Sequence, residues 1–163
     1  MLPDGVNFLT LGPVIVQRRS PPASSKEAGL RHRANYTWDE SLALLGYDLD
    51  RPDGADPIVI LRPGEELPVT LLWRAKRPLV NYQVRLELRA EDGGVPSGLA
   101  AMIEGPPAGL TYPNTDWQVG ETVLGKHRLK VPPNARLGRY TLVVAARPAD
   151  TDLWTEERWI TLH

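Results

Sequence analysis

From Val80 to Ala90 the chain alternates without a break. Val80, Tyr82, Val84, Leu86, Leu88 and Ala90 are largely apolar, and Asn81, Gln83, Arg85, Glu87 and Arg89 stand between them. Period two over that length describes a strand with one face in a core and the other in water. As a helix, the same segment would bring Arg85 and Arg89 together but scatter Val84, Leu86 and Leu88 around the axis. The odd positions Leu67, Val69, Leu71, Trp73 and Ala75 repeat the pattern one strand earlier. Two adjacent half-buried strands demand a second layer to cover them, which makes the chain an all-β layered protein.

Further short apolar runs are separated by turn signals. Strands are expected over Leu9–Val16, Leu42–Leu49, Ile58–Leu61, Val95–Ile103, Glu121–Val131, Gly138–Ala146 and Trp154–Leu162. Arg62-Pro63-Gly64-Glu65 reads as a type II turn, with proline at the position that suits its fixed φ and glycine next. Glu91-Asp92-Gly93-Gly94 reads as a hairpin turn. The inward sets are Val123, Gly125, His127, Leu129 and Val131 on one strand and Tyr140, Leu142, Val144 and Ala146 on the next. The sum is an immunoglobulin-like antiparallel β-sandwich of about eight or nine strands, one domain over residues 1–163, with a flexible loop at about 17–38. Tyr140, just after a corner, fits the tyrosine whose hydroxyl bonds nearby backbone in such folds.

Charge and cysteine content narrow the chemistry. With 19 basic and 20 acidic residues the chain lacks the positive field that neutralises phosphates, so nucleic acid is not an expected partner. The absence of cysteine excludes disulfides, thiolate metal sites and cysteine nucleophiles. No apolar run reaches the roughly 18 residues of a membrane helix, and Met1-Leu2-Pro3-Asp4 does not open a signal peptide. No nucleophile elbow, paired-histidine zinc motif or phosphate-cradling glycine loop occurs, so no enzymatic activity is expected.

Two clusters could bind ligands. Tyr112, Asn114, Asp116 and Trp117 share a long loop, where aromatics beside an amide and a carboxylate can stack on and hydrogen-bond a sugar. The competing reading has Trp117 plugging the end of the sandwich and Tyr112-Pro113 stiffening the loop. Asp48, Asp50, Asp53 and Asp56 crowd a second loop beside Gly54, where closely spaced oxygens can hold calcium; local turn chemistry explains them equally. No cofactor other than calcium is suggested. His127, on an inward face, reads either as a base or metal ligand or as a satisfied core histidine.

Several segments carry a family likeness. Leu11-Gly12-Pro13-Val14, Leu44-Leu45-Gly46-Tyr47-Asp48-Leu49, Arg62-Pro63-Gly64-Glu65 through Leu72-Trp73-Arg74-Ala75, and above all Tyr112-Pro113-Asn114-Thr115-Asp116-Trp117-Gln118-Val119-Gly120-Glu121 stand in order, followed by His127-Arg128-Leu129, Pro132-Pro133 and Gly138-Arg139-Tyr140. Together they resemble an uncharacterised bacterial sandwich domain found near the C-terminus of multi-spanning, glycosyltransferase-like or mannosyltransferase-like membrane proteins. Arg147-Pro148-Ala149-Asp150 departs from the Tyr-Asp-Pro turn common there. The resemblance supplies no catalytic residues. It implies a soluble, non-catalytic accessory or interaction domain on the extracytoplasmic face of a bacterial membrane. Such a domain would meet the membrane only through a parent chain, with a protein or glycan partner. The alternative is a carbohydrate-binding module that uses the loop aromatics.

Overall fold

The computed structural model describes residues 30, 32–49, 61–92, 95–151, 154–155 and 158–162. Among the described residues eight strands occur in order: β1 (His32–Trp38), β2 (Leu42–Leu49), β3 (Glu66–Ala75), β4 (Tyr82–Asp92), β5 (Val95–Gly105), β6 (Thr122–Lys130), β7 (Tyr140–Pro148) and β8 (Trp159–Leu162). They form two four-stranded antiparallel sheets, ordered β1-β2-β3-β6 and β5-β4-β7-β8. The chain changes sheet between β3 and β4, between β5 and β6, and between β6 and β7. This is the connectivity of an immunoglobulin-like sandwich.

The alternation in sequence becomes the core. Val84, Leu86 and Leu88 of β4 face Leu67, Val69, Leu71, Trp73 and Ala75 of β3, with Leu129 and Val131 from β6 and beyond, and Leu142, Val144 and Ala146 from β7. The Arg62–Glu65 turn forms as expected, with Glu65 N–H donating to Arg62 O at 3.1 Å and Gly64 at φ 90°. That φ suits the third position of a type II turn. The Tyr140 hydroxyl donates to the Arg136 carbonyl, closing the tyrosine corner at the start of β7. Asp92 pairs with Val95, so Gly93-Gly94 connects β4 to β5, although the two glycines lie outside the described residues.

Four expectations need correction or fall elsewhere. The loop expected at about 17–38 is shorter at its C-terminal end, because residues 32–38 are β1. A tight turn ties β1 to β2. Asp39 and Glu40 sit at φ 53° and 55°, and Ser41 N–H donates to Trp38 O at 2.9 Å. Asp tolerates this left-handed backbone better than most residues, and the hairpin lacks the glycine that would have announced it.

Val80, expected inward, is exposed, because β4 begins only at Tyr82. The outer face of the β4 sheet is not simply wet. Glu87, Val143 and Ala145 are buried there. The Trp159 ring reaches across that face to within 4.6 Å of the Arg89 guanidinium, and Glu87 is held between Arg85 and Arg89, each Nε 2.7 Å away. The Arg85 N–H is not aligned on that carboxylate, so its contact is electrostatic rather than a hydrogen bond. Finally, the expected strands at Leu9–Val16 and Ile58–Leu61 fall outside the described residues except for Leu61, which is not in a strand.

Candidate functional site

At the end of the sandwich where β1 begins and β8 finishes, the two sheets part around an open cleft of about 760 Å³. Its floor is aliphatic: Leu49, Leu67, Leu88, Val131, Leu142 and Leu162, drawn from both sheets. These residues are the terminal members of the inward sets, so the cleft is the core continued to its open end. The His32 ring stacks on Tyr47 at 4.6 Å and 11° at its wall, and burial pushes the Tyr47 phenol up to about 12.

The mouth is polar and partly cationic. Thr141 Oγ1 donates to Glu91 Oε2 at 2.6 Å, and Arg139 Nε lies 3.6 Å from Glu91 Oε1. Glu91 N–H donates to Arg139 O at 2.9 Å, so the strand end and the corner loop brace each other. Tyr140, anchored to Arg136 O, holds the Arg136–Arg139 loop beside the opening. Leu137, between the two arginines, is 88% exposed. An aliphatic floor with a few polar groups at its rim can take up an apolar group and orient it. Sequence patterns missed this site because its residues come from six separate segments. The one local hint, an exposed leucine flanked by arginines, looks like ordinary loop composition.

The long-loop cluster is built for a different purpose. Asn114, only 1% exposed, accepts the Tyr82 N–H on Oδ1 at 3.1 Å and donates from Nδ2 to Val80 O at 2.6 Å. Trp117 is 5% exposed, and its Nε1–H donates to Tyr112 O at 3.2 Å. The Tyr112 hydroxyl bonds both Glu121 carboxylate oxygens at 2.7 and 2.9 Å, while Gln118 N–H donates to Glu121 Oε1 at 2.9 Å. The two rings are tilted by 43°, 6.3 Å apart. The structure therefore brings Tyr112, Asn114 and Trp117 together as a self-braced plug, with Asp116 exposed at its surface. A buried Trp117 cannot offer a face to a sugar, whereas the Tyr112 ring is half-buried.

Of the calcium candidates, Asp48 lies on β2 opposite Thr70, and Asp50, Asp53 and Asp56 lie outside the described residues. Among the described residues, no three metal-ligating side chains come together.

The groups with displaced acidity are all engaged. His127 Nε2 lies 3.1 Å from Pro107 O and must carry the proton to donate to it. Burial holds this imidazole below its usual range, against the raising effect of that carbonyl. Arg158 holds the Asp39 carboxyl low through bonds of 2.9 and 3.1 Å, opposed by burial and assisted by the Tyr82 hydroxyl at 2.6 Å. Tyr82 is pushed well above its ordinary range, chiefly by burial and then by that bond to Asp39. Each of these groups spends its hydrogen bonds on the fold.

Set against protein-family models, curated proteins and solved structures, the chain matches none. Among the described residues, no helix is long and apolar enough to cross a membrane.

Proposed function

We propose that the domain is a non-catalytic interaction module, an extracytoplasmic accessory part of a larger membrane-anchored protein, and that it engages its partner through the end cleft. The observation that carries this reading is the aliphatic floor left open between the sheets, about 760 Å³ in volume. That volume lies within the range of roughly 300–1,000 Å³ typical of ligand sites. Two further points support it. Two groups with displaced acidity, His127 and Asp39, are committed to Pro107 and Arg158. The sequence resemblance supports the location and the parent chain.

A photo-crosslinking residue placed at Thr161, exposed on the cleft wall, tests the reading in the native host. The control carries it at exposed Asp150 in the turn after β7. Discrete adducts at Thr161 and none at Asp150 are expected. Equal labelling from both, or none from either, overturns the reading.

A further inference from the structure

Resting on the cleft as an interaction site, we infer that its occupant is the hydrocarbon chain of a single-chain lipid. The chain enters end-on between the two sheets, and the polar end of the molecule stays outside, beside Leu137.

The row of side chains that crosses the floor is apolar. Leu88, Leu142 and Leu162 stand in register across β4, β7 and β8, and all three line the cleft. Leu67 on β3 and Val131, just past β6, face them from the other sheet. Strand N–H and C=O groups lie in the plane of a sheet and bond sideways along its ladders. An occupant between the sheets therefore meets side chains alone, and on this floor they are aliphatic.

That geometry selects the ligand. A peptide strand inserted between the sheets would bury an N–H and a C=O at each residue without partners, and a sugar would do the same with its hydroxyls. A hydrocarbon chain carries no such groups and gains with every methylene it withdraws from water.

The polar groups of the wall and rim are engaged with one another or with backbone. The His32 ring lies nearly flat on the Tyr47 ring, the Tyr140 hydroxyl donates to Arg136 O, and Thr141 Oγ1 donates to Glu91. Leu137 stands at the mouth, on the loop that Tyr140 anchors, and is 88% exposed. It carries the apolar lining out to solvent, where a chain leaving the cleft would cover it.

The test uses the full chain with methyl-labelled leucine and valine, titrated with 1-hexanol, 1-octanol and 1-decanol. Saturable shifts are expected at the Leu88, Val131, Leu142 and Leu162 methyls, with affinity rising about fourfold for each added methylene. 1,8-Octanediol, which carries a second hydroxyl to the floor, is expected to bind at least about tenfold more weakly than 1-octanol. Leu137→Ser, altered at an exposed position, is expected to weaken 1-decanol about threefold while the floor methyls still shift. Equal binding of the diol, or an affinity that does not rise with chain length, overturns the inference. So do equal shifts at Leu110 and Val119, which are exposed on the β5–β6 loop and would report surface partitioning. Overhauser contacts from Leu9–Val16 or Ile58–Ile60 to the Leu88 and Leu142 methyls overturn it too, because the chain would then fill its own cleft. The intact mass of the Thr161 photo-adduct from the native host separates this inference from the reading beneath it. A lipid-sized increment is expected. A protein-sized adduct would remove the lipid and leave the interaction module standing, whereas no adduct would remove both.

Discussion

The Trp73 indole and the His127 imidazole donate to the same acceptor, the Pro107 carbonyl oxygen, each at 3.1 Å. Pro107 lies on the crossing from β5 to β6, and Trp73 and His127 belong to neighbouring strands of the opposite sheet. One carbonyl oxygen has two lone pairs, and here each is matched by a ring N–H. The crossing loop is thus fastened over the sheet edge by a buried tryptophan and a half-buried histidine, and the backbone polar group it buries is satisfied. His127 is a structural clasp, which decides between the two readings its sequence position allowed.

Burial of the clasp histidine gives stability a pH dependence. His127 is held below the ordinary imidazole value of 6.5 by burial, so the unfolded chain binds a proton more readily than the folded one. Stability is therefore fullest above 6.5 and declines as pH falls from there toward the lower folded value. Urea unfolding midpoints are expected to fall between about pH 7 and pH 5, and His127→Gln, which keeps an N–H donor, is expected to flatten that slope. An unchanged slope in the variant would assign the effect elsewhere.

Gly125 makes the clasp sterically feasible. A Cβ built there would stand 2.0 Å from Pro107 O and 3.2 Å from Trp73 Nε1. The nearest atom is backbone, so it cannot swing aside as a side-chain tip would. Gly125→Ala is expected to destabilise by about 2–4 kcal/mol through overpacking and loss of the paired bonds, as measured by chemical denaturation. A variant as stable as the parent would show that the loop gives way freely.

Asn114 joins the plug to the start of β4 through a buried bond from the Tyr82 N–H and a partly buried one to the Val80 carbonyl. Asn114→Ala leaves both backbone groups without their partner and is expected to cost about 2–4 kcal/mol. Asn114→Asp keeps the acceptor and loses the donor to Val80, so it tests the second bond separately. Hydrogen exchange at the Tyr82 amide gives the local readout: faster exchange is expected in Asn114→Ala.

Much of the sandwich was legible because alternation is written into consecutive residues. Val84, Leu86 and Leu88 are buried where period two put them, and Tyr140 closes the corner that its position after Gly138 suggested. Features made by distant residues were not legible. β1 was hidden because His32-Arg33-Ala34-Asn35 reads as polar loop and its turn uses Asp39-Glu40 instead of glycine. The covered outer face depends on Trp159 reaching Arg89, seventy positions earlier in the chain. The aromatic loop was found, but sequence could not choose between plug and platform. That choice rests on where the Asn114 amide and the Trp117 indole find their partners.

Asp39 and Arg158 provide a second acid-sensitive tie, separable from the first. Asp39 bonds both guanidinium nitrogens and the Tyr82 hydroxyl, and its carboxyl is held below 3.8 mainly by Arg158. A lowered carboxylate contributes stability that is present above the unfolded value of 3.8 and is lost as pH falls through the folded one. This window lies below that of His127, so acid unfolding should show two successive declines in stability. Asp39→Asn keeps a residue that tolerates positive φ and removes the charge. Because Asp39 is 37% exposed, its loss is expected to cost only about 1 kcal/mol at neutral pH. In the same variant the lower decline should shrink while the upper one persists. If Asp39→Asn instead abolished the decline between about pH 7 and pH 5, the assignment of the two ties would be reversed.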